Sequence, residues 1–208
     1  MRTVARLLAS LALLSATACA PADPADPANP SAPRGVDVDV DTPELRTLRE
    51  RAGLEPCRPG DASPVAGGLP ELTLPCLGGG EAVPLSSLEG PLVVNFWAQN
   101  CAPCRTEMPI LQSFHEDHRG KVGVVGIDWQ DVQPRAALEL ARDTGVTYPL
   151  LADVDDETSG AGPLPRVRGL PLLVLVDEDG VVVHHEFVAL ESRGQLDALV
   201  EEHLGVAS

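Results

Sequence analysis

The stretch 92-LVVNFWAQNCAPCR-105 runs an almost unbroken set of apolar residues into two cysteines separated by two positions. Leu92 to Ala98 reads as a strand buried on both faces of a sheet, because a strand with one wet face would alternate apolar and polar residues. Residues 104 to 118 follow as a helix, with Met108, Leu111 and His115 near one face. Cys101 falls at the cap of that helix and Pro103 just inside it, where a missing N–H leaves no bond unmade. Pro109 sits in the helix interior and is expected to kink it.

A two-residue gap between cysteines suits a redox centre, half of a metal site, or a plain structural bond. A tetrahedral zinc site needs four ligands. The chain has no second C-x-x-C, and His115 and His118 lie more than ten residues away, so no metal is expected. A bond closing so small a ring constrains the unfolded chain little. Position favours redox chemistry: the free N–H groups and positive dipole at the start of a helix stabilise a thiolate. A thiol pKa of about 8.5 falls in such motifs to between roughly 3.5 and 7.5. Cys101 would then attack a partner disulfide, and Cys104, nearer the helix interior, would resolve the mixed disulfide.

The flanking sequence supplies the rest of a sheet. VGVVGID (122–128) reads as a second buried strand, PRAALELARDTG (134–145) as a helix with proline at its start and glycine past its end, and YPLLAD (148–153) as a third short strand. LPLLVLVDEDGVVVHHEF (170–187) is two apolar runs around Asp179-Gly180, a hairpin signal. His184 and His185 fall on alternate sides of its second strand. ESRGQLDALVEEHLG (191–205) is an amphipathic closing helix with Leu196, Leu199, Val200 and His203 or Leu204 facing inward. Upstream, LPELTLPCLGGGEAVPLSSLEG (69–90) gives a strand, a glycine turn and a second strand. TPELRTLRERAG (42–53) is a short accessory helix capped by Thr42, opened by Pro43 and closed by Gly53. Strands joined by helices and followed by an antiparallel pair make an α/β protein with a mixed sheet. Asp128 and Trp129 end a strand near the redox pair, where the acid reads as a solvated loop residue.

Residues 1–19 have the build of a secretory signal: Arg2 and Arg6, an apolar stretch, then the small residues Ala16, Thr17 and Ala18. The stretch is short for a bilayer span, which takes about 20 residues. Without it the chain carries 13 basic against 31 acidic residues, a formal charge of −18, which argues against nucleic acid as a partner. Of the five cysteines, proximity pairs Cys101 with Cys104, leaving Cys57 with Cys76 and isolating Cys19. The environment of Cys19 is similar to a bacterial lipobox, although Ala16 stands where such boxes usually carry leucine. Lipidation of Cys19 accounts for the odd cysteine, and ordinary cleavage after Ala18 is the alternative. Residues 20–40 begin APADPADPANPSAPRG, a Pro/Ala-rich segment read as an extended tether. Residues 41–64 hold the accessory helix and a loop, and residues 65–208 the main domain.

The segment FWAQNCAPCRTEMP (96–109) resembles the active-site segment of the thioredoxin superfamily, and its trailing Glu-Met-Pro resembles the TlpA/ResA-like branch. GLPLLVLVDEDG (169–180) is similar to a second landmark of that superfamily, a cis-proline just before a strand and hairpin. The resemblance implies a thioredoxin fold with an N-terminal strand extension and accessory helix. It makes Cys101 the attacking thiol, Cys104 the resolving thiol and Pro171 the cis-proline that pairs with substrate backbone. Trp97 matches the tryptophan upstream of the motif, and Glu107 matches an acid that tunes the cysteines or moves protons. From spacing alone, Glu107 lies one turn past Cys104 on the helix surface, where an exposed, inert glutamate is the alternative.

Two departures stand out. Asn100 replaces the usual tryptophan before the first cysteine. Leu172 replaces a frequent threonine and is expected to make the docking groove more apolar. Cys57 and Cys76 are expected to form a structural disulfide, with a second redox relay as the alternative. The function expected is thiol-disulfide exchange outside the cytoplasm by a monomer without cofactor. Its partners would be protein thiols and disulfides and a membrane or envelope electron donor, with reduction in cytochrome c maturation as one example. A redox-inactive thioredoxin-like binding or chaperone module, made conceivable by Asn100 and Leu172, is the rival. A thiol peroxidase is a second.

Overall fold

In the computed structural model, residues 38–207 are described. The signal segment, Cys19 and residues 20–37 of the tether lie outside the described residues. Helix α1 spans Pro43–Ala52 and leads through a loop to the two-stranded hairpin β1 (Thr73–Leu74) and β2 (Val83–Pro84). Then come β3 (Leu92–Trp97), α2 (Ala102–Asp117), β4 (Gly123–Trp129), α3 (Pro134–Thr144) and β5 (Leu150–Asp153). The chain finishes with β6 (Leu172–Val176), β7 (Val182–Glu186) and α4 (Arg193–Leu204). Among the described residues no helix is long and apolar enough to cross a membrane.

The five-stranded sheet has the order β5-β4-β3-β6-β7, with β3, β4 and β5 parallel and β6 and β7 antiparallel. β3 is the middle strand and every one of its residues is buried, as its apolar run requires. Its side chains alternate between two cores. Val93 and Trp97 join the apolar residues of all four helices, whereas Leu92, Val94 and Phe96 face a second core. Parallel crossovers from β3 to β4 to β5 run in one direction, so α2 and α3 fall on the same face. Among the described residues no α-helix contributes to the second core; the β1–β2 hairpin, the 3-10 turn at Leu85–Ser87 and the segment around Leu164 and Val167 cover that side.

Local chemistry fixes the helix ends. Thr42 Oγ1 accepts the Leu45 N–H at 3.2 Å, and Gly53 closes α1 in the left-handed conformation. α2 starts two residues earlier than its periodicity indicates, because Cys101 Sγ accepts the Cys104 N–H at 3.2 Å and acts as the cap. The helix continues through solvent-facing Pro109.

Cys57 and Cys76 are disulfide-bonded, 19 residues apart in sequence, and both are buried in the helix-free core. The bond ties the loop after α1 to the hairpin, and Leu77 N–H and Ala152 N–H stitch the same region to β5. Closing a loop of that length stabilises by roughly 3 kcal/mol. The Cys57→Ser/Cys76→Ser double variant is therefore expected to unfold in urea with a stability lower by about that amount.

Candidate active site

The C-terminal end of β3 delivers the chain into the redox pair. Asp131 holds this turn: its Oδ2 accepts the Gln99 N–H at 2.8 Å while its Oδ1 accepts the Gln133 N–H at 2.8 Å. Arg105 folds back to donate to the Gln99 carbonyl at 3.0 Å. Asn100 is exposed at the tip. Cys101 and Cys104 are disulfide-bonded, with Cα atoms 5.3 Å apart. The two sulfurs differ in access, since Cys101 is half-buried and Cys104 is wholly buried. This is the asymmetry that an attacking and a resolving thiol require.

The Leu170–Pro171 peptide is cis. Leu172, the next residue, pairs with Phe96 of β3, which sets Pro171 beside the strand end that carries Trp97. Leu170 packs against the same core as Cys101. Leu172 itself is fully buried in the helix-free core, so it does not line a groove. The alternating pleat turns that position inward, and the expected apolar contribution to docking is corrected accordingly.

Glu107 is not on the helix surface. It is 1% exposed, and burial pushes its carboxyl up to about 8. The Leu190 N–H, 3.3 Å from Oε2, and the Asn95 side-chain amide oppose that rise. The Asn95 amide lies close enough to favour the charged form but makes no hydrogen bond of ordinary geometry. The spacing placed Glu107 one turn from Cys104 correctly; the face it shares with Met108 and Leu111 buries it against the Leu190 segment that leads into α4.

Asp128 is corrected too. It is 1% exposed, because alternation along β4 turns it toward the helix-bearing face, and burial followed by the neighbouring Asp131 raises its carboxyl well above the usual range. Trp129, on the other face, donates to Asp156 Oδ1 at 2.6 Å. His185 is exposed and His184 half-buried, stacked on His203 at 3.9 Å. Trp97 is fully buried. Two residues of this region carried a signal that the apolar reading of their segments passed over. Asn95 is the one polar residue inside the buried run LVVNFW, and Tyr148 is the single tyrosine of the chain; both are fully buried.

Residues 65–185, more than half of the chain, match the AhpC/TSA family. The chain belongs to the AhpC/TSA family. It is 29% identical over 127 residues to the thiol-disulfide oxidoreductase ResA of Halalkalibacterium halodurans, covering 60% of this chain and 67% of that one. It is 33% identical over 114 residues to the thiol:disulfide interchange protein DsbE of Pseudomonas fluorescens biotype C, covering 54% and 61%. The chain thus spans about two thirds or less of the length of these relatives. A secreted thiol-disulfide isomerase from Corynebacterium glutamicum superposes with a TM-score of 0.56 at 27% identity, covering 62% of this chain and 81% of that one. These matches agree with the thioredoxin-like fold and the ResA-like resemblance of the sequence around the cysteines.

The Glu107 geometry has a consequence for stability. Between the ordinary glutamate value of 4.5 and about 8, the folded protein holds a proton that the unfolded chain has released. Stability therefore falls as pH rises through that window and levels off above it. Unfolding of the oxidised protein in urea is expected to show this decline from about pH 5 to about pH 8. The Glu107→Gln variant is expected to show a shallower one and to be more stable than wild type at the upper end. Equal slopes would remove the buried-proton assignment.

Proposed function

We propose that this family member exchanges disulfides with protein thiols through Cys101 and Cys104, as a reductant outside the cytoplasm. The observation that carries this reading is the accessibility difference between a half-buried Cys101 at a helix cap and a wholly buried Cys104 one turn inside. Cys101 thiolate attacks one sulfur of a client disulfide, the client S–S bond breaks, and one client thiolate leaves. Glu107 takes the proton of Cys104, whose thiolate attacks Cys101 Sγ and expels the second client thiolate. Two electrons pass to the client, which takes up two protons, and the Cys101–Cys104 disulfide remains. A thiol donor of the envelope restores the dithiol by the same steps in reverse.

In this reading Pro171 receives client backbone beside Cys101, Trp97 packs beneath the turn, and Cys57–Cys76 is a structural staple. The names thiol-disulfide oxidoreductase and thiol:disulfide interchange protein support disulfide exchange, and the secreted structural relative supports a place outside the cytoplasm; an apocytochrome c is one candidate client. The signal-like residues 1–19 support export, and Cys19 supports tethering by a lipid.

Wild type is expected to reduce insulin disulfides in the presence of dithiothreitol faster than the thiol alone, and Cys101→Ser is expected to lose that acceleration entirely. Cys104→Ser is expected to accumulate a mixed disulfide through Cys101, visible as an added mass that a reductant removes. A Cys101→Ser protein as active as wild type would overturn exchange through Cys101 and Cys104.

A further inference from the structure

Among the described residues, the Leu190 N–H is the one donor that meets Glu107 with hydrogen-bond geometry, 3.3 Å from Oε2. Oε1 has no such partner. Glu107 lies on α2, whereas Leu190, 2% exposed, lies in the segment without regular structure that leads from β7 into α4. A backbone N–H is a fixed donor only as far as the chain around it is fixed, and 3.3 Å is already slightly longer than the ordinary range. Ionisation of the carboxyl therefore depends on what holds Leu190 in place.

Three residues further on, Arg193 fastens the start of α4 to the same helix. Its Nη1 donates to Asp117 Oδ2 at 2.7 Å and to Ser113 Oγ at 3.2 Å, and its Nη2 lies 3.2 Å from His118 Nδ1. The guanidinium rests 5.0 Å over the Phe114 ring. Its Nε donates to Asp197 Oδ1 at 2.7 Å, one turn along α4. A planar, always charged fork with several donors suits such a junction, where a lysine would offer a single point of charge. Ser192 Oγ accepts the Gln195 N–H at 3.3 Å, and the Glu191 N–H donates to Gln195 Oε1 at 3.0 Å. The residues between Leu190 and Arg193 are thereby tied into the first turn of α4.

Both contacts fall on one side of α2, since residues 107, 114 and 118 recur at helical spacing. The helix rises about 10 Å from Glu107 to Phe114, and three residues of extended chain reach about 10 Å. Ser192 is extended, with φ −153° and ψ 158°. The strap from Leu190 to Arg193 therefore runs along α2, with each end docked on it. We propose that Arg193 is a positioning residue for exchange: by clamping the start of α4 to α2 it holds the Leu190 N–H on Glu107 Oε2, and so keeps the carboxylate able to accept the Cys104 proton. The inference rests on the exchange reading and on the role of Glu107 in it. The titratable and charged groups that face Arg193 are Asp117 and His118 from α2 and Asp197 from α4. Around Glu107 they are Cys104, one turn before it, and Tyr148, whose ionisation is disfavoured by burial and then by the charge of Glu107. The buried α4 side chains, Leu196 and Val200, are apolar, and no charged side chain lowers the Glu107 carboxyl.

The test is the pH profile of the resolving step. From a preformed mixed disulfide between Cys101 and a chromophoric thiol, Cys104 attacks Cys101 Sγ, and release of the chromophoric thiolate is followed in single turnover. Wild type is expected to inflect near the Glu107 value of about 8. Arg193→Ala is expected to move that inflection up by about one pH unit, and so to slow the step about tenfold below it, because the charged carboxyl loses its donor. The Ser113→Ala/Asp117→Ala variant keeps Arg193, removes two of its partners and alters only exposed residues; it is expected to move the inflection in the same direction. In urea, the stability of oxidised Arg193→Ala is expected to decline up to about pH 9, where the wild-type decline ends near pH 8. Val200→Ala, which removes α4 packing outside the junction, is expected to lower the thermal midpoint and leave the inflection in place. An inflection left in place by Arg193→Ala, or by the double variant should Arg193→Ala not fold, overturns the positioning role while exchange stands. An equal displacement in Val200→Ala overturns it too, since general loosening of α4 predicts that result, as does a moved stability profile with an unmoved resolving step. If Glu107→Gln leaves the profile unchanged, the role of Glu107 and the inference built on it both fall, and exchange itself is judged separately by Cys101→Ser.

Discussion

The burial of β3 on both faces is the constraint from which the rest of the architecture follows. A strand in the middle of a sheet must pair on both edges, here with β4 in parallel and β6 in antiparallel register. Pairing of opposite sense brings the end of β3 and the start of β6 to the same edge of the sheet. Residues separated by about seventy positions, the redox turn and the cis-proline, become neighbours because of strand direction alone. The parallel partner needs a crossover, and the helix that supplies it begins at Cys101. One choice of strand order thus positions Cys101 at the helix cap and the cis-proline beside it.

The helix-bearing face has a second character. It is where the sheet meets α1 to α4, and it also holds Asn95, Glu107, Asp128 and Tyr148 away from water. A carboxyl in such surroundings favours its neutral form. A buried acid that weakens the fold as it ionises is a cost that packing must offset. The dense apolar surroundings of α2, with Met108, Leu111 and Phe114 fully buried, offset it. Stability and proton handling therefore draw on the same set of contacts.

Much of this was legible in the sequence because it is local. The Thr42 cap and Gly53 define α1, Pro134 and Gly145 define α3, Asp179-Gly180 marks the β6–β7 hairpin, and the apolar runs identify the buried strands. The cysteine spacing and the strand before it pointed to the redox pair. Orientation was harder to read. Glu107, Asp128 and Leu172 were each assigned to the correct element and to the wrong environment, because which side of an element is covered depends on neighbours distant in the chain. Glu107 is met by the Leu190 segment, 83 residues later, and Leu172 is turned inward by its pairing with Phe96. Asn95 and Tyr148 have no local motif at all; pairing within the sheet and packing under the helices bury them both.

The uneven covering of the sheet separates two kinds of change. Apart from Asp153, whose carboxylate binds Glu157 N–H and Thr158 to fasten its own loop, the helix-free face holds an apolar core. Segments that cover it, including the one that leads to Pro171, can be rewritten in length and sequence without entering the surroundings of Glu107. The two faces of the sheet thereby hold different surroundings, an apolar core under loops on one side and the buried polar groups on the other. Loops on the first side can therefore change while the packing around Glu107 on the second is kept.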